Sequence, residues 1–497
     1  MSIPIQIPAG RHGFQPQLSL NYDSGSGNGP FGLGWKLSLP IITRKTDKGL
    51  PRYRDPTNPG LDVFILGGAE DLMPLLEPTT SSPNGVPYTR APGQPQVSNG
   101  INYNVYFYRP RVEASFSRIE LWISTTAPET DMHWRSFSAG NVVTIYGIDN
   151  NSRISDPQDP SRIFSWLASS TSDSLGNIII YEYKAEDSVS VSQTINERNR
   201  NDVTRSSNRY IKRIRYGNQV STLTQPDTGS QSWLFEVVFD YGDHPSTNPT
   251  PQPSQPWLCR NDPFSSHRSG FEIRTYRLCQ RVFVFHNFPN EPNVGDGCLV
   301  KSTNFFYQNS RNIAEDVQQG NPNVTLLAST SVSGFLRSGS TYSVQSVPPL
   351  EFQYIQPTLD PEVKAINSQS LENLPMGLDG LVYQWIDLDG EGISGLLTQD
   401  SGSWFYKRNL GDATFGPLEL LPSKPSLASI GPNQPSRLLD LDGSGRLDIV
   451  QLGTGVAGFS TRTFDGDWEA FTTFASLPNI DFQDKDLQLI DVTGDGM

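Results

Sequence analysis

The sequence predicts an all-β protein: a large β-sheet domain followed by the start of a β-propeller. Three observations carry that prediction. Apolar residues alternate with a period of two and almost nowhere recur at helical spacing over a dozen positions. The 43 glycines and 39 prolines are scattered through 497 residues, as turns between short strands require. Near the carboxyl end an Asp/Gly motif repeats at a spacing that suits one propeller blade.

The strands follow from the alternation. Trp233, Phe235, Val237, Phe239 and Tyr241 share one side of a run whose other side carries Glu236 and Asp240. A second run puts Tyr276, Leu278, Val282 and Val284 on one face and Arg277, Cys279, Arg281, Phe283 and Phe285 on the other. Ile178 to Tyr183 and Leu350 to Tyr354 read as further short strands. Residues 74–95 hold six prolines and 245–256 hold five, so both are expected as surface or partner-facing loops.

The grammar changes near residue 356, which divides a β-sheet domain (1–355) from the start of a propeller (356–497). Trp385-Ile-Asp-Leu-Asp-Gly-Glu-Gly392, Leu439-Asp-Leu-Asp-Gly-Ser-Gly445 and Ile490-Asp-Val-Thr-Gly-Asp-Gly496 are copies of one unit. Their leading aspartates, Asp387, Asp440 and Asp491, stand 53 and 51 residues apart. Four-stranded blades have that period, so two and a half FG-GAP/VCBS-like blades are expected, and the chain reads as a fragment of something longer.

The Asp440 loop offers a candidate metal site. Asp440, Asp442, Ser444 and Asp448 place oxygens at positions 1, 3, 5 and 9, a spacing that suits calcium's demand for hard oxygen ligands. The competing reading is a plain turn, in which aspartates accept backbone N–H groups and glycines take positive φ. No cofactor is required by either reading.

Composition and motifs argue against several function classes. The net charge of −14 and pI near 4.9 weigh against nucleic acid as a partner. Seven bases between Arg198 and Arg215 run the other way and are expected as solvated strand faces paired with acidic neighbours, with an anion or partner contact as the alternative. No 18-residue apolar run is present, so no direct membrane insertion is expected. Met1-Ser2-Ile3-Pro4 lacks the basic and apolar regions of a signal peptide. Cys259, Cys279 and Cys298 lack C-x-x-C spacing, although His267 and His286 leave a Cys/His cluster open. Gly27-Asn-Gly-Pro-Phe-Gly32 matches a dinucleotide-binding pattern, yet Leu33 to Leu39 alternate like a strand rather than opening a helix. No G-x-S-x-G, H-E-x-x-H or P-loop motif occurs, so catalytic residues are expected to be none.

Asn21-Tyr-Asp-Ser-Gly-Ser-Gly-Asn-Gly-Pro-Phe-Gly-Leu-Gly-Trp35, Leu39 to Lys45 and Asp62 to Asp71 resemble the amino-terminal domain of the Salmonella plasmid virulence protein B (SpvB) family. Asp262-Pro-Phe-Ser, Gly270 to Cys279 and Phe283-Val-Phe-His286 resemble, more narrowly, the B component of tripartite insecticidal toxin complexes. The resemblance implies a non-catalytic part of a secreted toxin translocation complex. Its shell would contribute to a cocoon around a toxic cargo, with an RHS-repeat C component as partner. Its propeller would dock on a pore-forming A component. Localisation would be secreted or extracellular, after a cytoplasmic stage before release. SpvB proteins are ADP-ribosyltransferases through a separate domain, and the Glu-x-Glu pair of that chemistry is absent from these residues. Two other readings compete: an extracellular adhesin with an integrin-like propeller, and the carrier part of a toxin whose enzymatic domain lies beyond Met497.

Overall fold

The computed structural model describes residues 1–47, 49–53, 62–68, 70–78, 88–112, 116–128, 130–308, 324–339, 341–354, 365–374, 382–390, 392–421, 436–441, 447–452, 456–463 and 465–477. The chain forms two compact units. The first is Met1–Lys45 with Pro51–Leu359, and the second is Thr46–Leu50 with Asp360–Met497.

The first unit opens with an antiparallel meander of β1 (Ser2–Pro4), β2 (Ser19–Tyr22) and β3 (Trp35–Leu37). Between β2 and β3, Gly34 sits at φ +78° with the Tyr22 ring 2.5 Å from where a Cβ would be. A side chain is therefore barred there on both counts. The glycine-rich stretch leads into β3, and no helix follows it, so the dinucleotide pattern has no helix terminus to offer a phosphate.

A ring of strands comes next. β4 (Ile41–Arg44) pairs with β5 (Phe64–Leu66), which pairs with β6 (Glu70–Pro74). From there the ladder passes through β7 (Ile101–Pro110), β8 (Arg118–Ser124), β9 (Met132–Phe137), β10 (Val143–Tyr146) and β11 (Ile163–Ser172). β11 then pairs back onto β4, Leu167 opposite Ile41 and Ser165 opposite Thr43, and the ring closes. Side chains fill it, as a ring of this size requires. Phe64, Tyr108, Trp134 and Trp166 meet edge to face at centroid distances from 4.9 to 6.1 Å. On β8 the alternation is visible in burial chemistry: Ile119, Leu121 and Ile123 join this core, while Trp122 turns to a separate cluster with Tyr103 and Val105.

β11 is shared. Its first half pairs with β4, and on the same edge Ser170–Ser172 pair with β12 (Ile178–Ala185). From β12 an antiparallel sheet continues through β13 (Arg209–Asn218), β14 (Trp233–Asp240), β15 (Arg281–Phe288), β16 (Gly295–Tyr307), β17 (Leu327–Ser338) and β18 (Thr341–Ser346). Phe235, Val237, Phe239 and Tyr241 enter the main core, as the alternation predicts. The second predicted run is interrupted: Tyr276–Gln280 belong to no ladder, and Cys279 joins the main core beside Leu278. The strand expected over Leu350–Tyr354 shortens to Leu350–Glu351. The proline-rich stretch 74–95 is not all loop, because Leu76–Pro78 and Tyr88–Arg90 pair as a hairpin. Residues 245–256 form no strand and stay irregular.

The second unit contains two four-stranded antiparallel sheets of blade form. One is β19 (Tyr383–Ile386), β20 (Gly395–Asp400), β21 (Ser403–Gly411) and β22 (Thr414–Leu420). The other is β23 (Ser436–Leu439), β24 (Asp448–Gln451), β25 (Gly458–Thr461) and β26 (Thr472–Thr473). Leu388, Leu397, Trp404, Tyr406 and Ile449 form their common core, with Trp468 edge-on to Trp404 at 6.2 Å. The third copy of the repeat lies outside the described residues.

Candidate functional site

The Asp/Gly loops join the first two strands of each blade. In the first loop the Asp387 carboxylate accepts the Gly392 N–H at 2.6 Å, and Gly390 and Gly392 adopt φ of +72° and +81°. This is the bonding of a tight turn. In the second loop Asp440 directly follows β23, and Asp448 begins β24 and is buried. The Asp448 Oδ2 accepts the Leu441 N–H at 3.1 Å, which commits that oxygen to the turn. Asp442 and Ser444 lie outside the described residues, so the four-residue calcium set cannot be assembled from described atoms alone.

The second aspartate of the first loop has a role that the sequence did not suggest. Asp389 accepts from Arg408 Nη2 at 2.7 Å through one oxygen. Its other oxygen accepts from Arg462 Nε at 3.1 Å and Nη2 at 2.8 Å. Arg462 follows β25 and stacks on Trp468 at 5.4 Å, so the carboxylate of one blade clamps an arginine of the next. A spacing of 73 residues hides such a pair from any local pattern.

Most of the basic run on β13 and the turn before it is paired with acids, as expected, but it is more buried than a solvated face, and Arg209 donates instead to backbone carbonyls. Arg200 meets Glu272 at 2.7 Å, Arg205 meets Glu197 at 3.3 Å, Arg213 meets Glu236 at 3.4 Å, and Arg215 meets Glu182. Glu197 also accepts the Tyr276 hydroxyl at 2.6 Å and Arg274 at 2.8 Å. Burial pushes the Glu197 carboxyl up, but Tyr276 and the surrounding arginines outweigh it and hold the group below its usual range. This network walls a half-open cleft of about 830 Å³ that also reaches Ser192, Cys259, Arg260 and Asp262. Arg260 is spent on Asp262, Asn28 and the Gly29 carbonyl, so the cleft's charged groups are satisfied within the protein.

Lys212, Asp240, Asp243 and His244 make the densest titratable cluster. Oxygen and nitrogen atoms of Asp240, Asp243 and His244 lie within 4.8 Å of one another, and among the described residues they are the one trio with that geometry. The Lys212 ammonium already stands among them, 2.8 Å from Asp243 Oδ1, 3.1 Å from His244 Nε2 and 2.8 Å from the Phe239 carbonyl. A resident ammonium makes this a salt network rather than a metal centre. No cysteine joins such a trio among the described residues: Cys279 is buried in the main core, Cys298 is buried on β16, and all three thiols are free.

The histidines do not build a nucleophile–base pair. His133 is buried against Trp122 at 5.8 Å, and burial followed by the Arg135 charge lowers its pKa to about 3. His286 is packed edge-on to Phe235, and burial lowers its pKa as well.

A ring-and-sheet β unit followed in the chain by Asp/Gly blades defines the class: an all-β protein that joins a closed strand ring to four-stranded blade sheets. The sequence pattern of the family described as "SpvB: Salmonella virulence plasmid 65kDa B protein" matches residues 1–288. The chain belongs to the SpvB family. It is 37% identical over 303 residues to the mono(ADP-ribosyl)transferase SpvB of Salmonella typhimurium strain 14028s, which is 60% of this chain and 49% of that protein. The chain thus spans about half the length of the curated relatives it matches. Its fold matches a chain of the Photorhabdus luminescens Tc holotoxin pore with a TM-score of 0.64 and 30% identity. That match covers 96% of this chain and 21% of the other. The TcdB2-TccC3 crystal structure gives 0.64 at 31% identity over 96% and 22% of the two chains. The N-terminal domain of SpvB from Salmonella typhimurium strain LT2 gives 0.55 at 34% identity, covering 67% of this chain and 98% of that domain.

Proposed function

We propose that this chain is a non-catalytic structural and docking component of a secreted toxin translocation complex. The observation that carries the reading is the match of 96% of the chain, across both units, to a chain of a Tc holotoxin pore. In this reading the ring and sheet contribute to a β-walled shell around a toxic cargo, closed with an RHS-repeat partner. The blades begin a propeller that docks on the pore-forming component. A closed ring suits a wall because it presents no free strand edge. A propeller suits docking because it presents a broad face.

The absence of catalysis is supported by the chemistry of the described residues. Buried carboxylates such as Glu186 and Glu197 are committed to arginines, and the buried histidines are held neutral by their surroundings. A second reading draws on the relatives' name: the chain would be the carrier part of a longer toxin with an ADP-ribosyltransferase domain. One experiment separates the readings. The gene product is tested for co-purification with a pore-forming protein and an RHS-repeat protein encoded nearby. Cutting the chain at about residue 356 is expected to abolish binding to the pore-forming partner. Retained binding by residues 1–355 alone would sink the docking role of the blades.

A further inference from the structure

The half-open cleft beside Glu197 has an unused backbone edge along one wall. Residues 256–260 carry no helix, turn or bend. Leu258 donates its N–H to the Tyr241 carbonyl at 3.0 Å, and Arg260, two residues on, donates its N–H to the Tyr276 carbonyl at 2.8 Å. The Leu258 carbonyl accepts from Arg277 Nη1 at 3.2 Å. These bonds describe the inner side of an extended segment, whose main-chain groups point alternately to its two sides. The N–H and carbonyl of Cys259 and the N–H of Asn261 therefore point the other way, toward the cleft that both residues line. Neither residue's main chain has a hydrogen-bond partner among the described residues. Cys259 is half-buried, so leaving its main chain unpaired carries a cost.

The facing wall is neutral and hydrogen-bonding. Ser192, Thr194 and Asn196 line it, all three exposed, and Thr194 spends no side-chain bond on capping the short helix that follows it. The charges in the cleft are already committed: Glu197 to Tyr276, Arg205 and Arg274, and Arg260 to Asp262. An ionised ligand would give up its hydration there without meeting a free counter-charge. Leu258, 55% exposed, and the partly exposed Val191 add apolar surface at the rim. The volume of about 830 Å³ falls within the range of roughly 300–1,000 Å³ usual for ligand sites.

We propose that this cleft binds an extended, uncharged peptide segment, which pairs main chain to main chain with Cys259 and Asn261. Strand addition of this kind draws affinity from an open edge and selectivity from the walls beside it. A peptide residue opposite Cys259 accepts the Cys259 N–H and donates to the Cys259 carbonyl, and the peptide carbonyl two residues away accepts the Asn261 N–H. Hydroxyl-bearing and small apolar side chains suit the walls, the first against Ser192, Thr194 and Asn196 and the second against Val191 and Leu258. This stands apart from the docking role proposed above and would survive its failure.

Fluorescence anisotropy of a labelled, end-capped Thr-Val-Thr-Val-Thr-Val hexapeptide, titrated with the full chain, tests the cleft. Saturable binding is expected. N-Methylation of one alternate set of peptide N–H groups should weaken it about tenfold, while methylation of the other set should change it by less than about threefold. Asn261→Pro, which removes an N–H that the fold does not use, should also weaken binding about tenfold. N-Ethylmaleimide should label Cys259 in the folded chain, since Cys279 and Cys298 are buried, and saturating peptide should slow that labelling severalfold. The proposal is overturned by an absence of saturable binding up to about 1 mM, by equal binding of the two methylated peptides, or by an unchanged labelling rate. Displacement of the peptide by maltohexaose would overturn it in favour of a carbohydrate.

Discussion

At the scale of single residues, the first unit is held by charges placed where water does not reach. Arg277 and Glu186 are both fully buried, joined through Nε to Oε2 at 2.8 Å and by a second, shorter contact, with the Arg277 guanidinium 4.1 Å above the Trp257 ring. Arg277→Met should destabilise the chain by about 3–5 kcal/mol, because it strands a buried carboxylate rather than because the pair itself is strong. Adding Glu186→Gln to that variant should recover part of the loss, read as the midpoint of urea denaturation. A double variant no more stable than the single one would mean that Trp257 packing, not charge, carries the site. None of this pairing was legible in the sequence. Arg277 appears there as one polar residue on an alternating face, and its partner is 91 residues away. What the sequence did show is that most of the bases from Arg200 to Arg215 have acidic partners.

At the scale of elements, alternation was a sound guide wherever a strand has one apolar face, as in β14. It failed where tertiary contacts override the ladder. Tyr276–Gln280 look like a strand, but the Tyr276 N–H is taken by the Tyr210 hydroxyl and the Cys279 N–H by the Pro30 carbonyl. The Asp/Gly loops were found by their repeat, while the use made of their aspartates was not. Asp389→Asn should loosen the contact between the blades by about 1–3 kcal/mol, since it removes the charge that satisfies the buried Arg462. The expected signature is faster hydrogen exchange in Gly395–Asp400 and Gly458–Thr461 with the ring strands unaffected. We further propose that the Asp440 and Asp448 carboxylates hold no calcium, since one Asp448 oxygen already accepts a backbone N–H. Titration with calcium followed by calorimetry should then give no heat above dilution. A saturable heat lost in Asp440→Asn would restore calcium to that loop.

At the scale of the whole molecule, the carboxylates set the acid limit. Glu197, Asp243, Asp262 and Glu272 all lie below their ordinary range, with burial opposing and arginine, lysine or hydroxyl partners prevailing. Groups whose folded pKa is depressed add stability that is present above the unfolded pKa and lost as pH falls through the folded one. His244 acts in the same direction at higher pH, for it too binds protons more readily once unfolded. Thermal stability should therefore decline in two stages on acidification, a shallow one below about pH 6.5 and a steep one below about pH 4. Differential scanning calorimetry across that range would read both, and a single decline confined to pH below 4 would remove the histidine contribution.

The strand shared by ring and sheet also sets a schedule for synthesis. β4 pairs early with β5 on one edge, but its other edge can find its partner only when Leu167 has been made, about 120 residues later. At roughly 5–20 residues per second, a nascent chain carries one edge of the Ile41–Arg44 strand unmatched for roughly 6–25 s. During that interval the ladder can lengthen strand by strand from β5 through β10, yet the barrel stays an open ribbon with two sticky margins. A pause in translation anywhere between residues 70 and 160 would prolong the exposure. Production of this protein in soluble form should thus depend on what guards the nascent ribbon, more than on the stability of the finished ring.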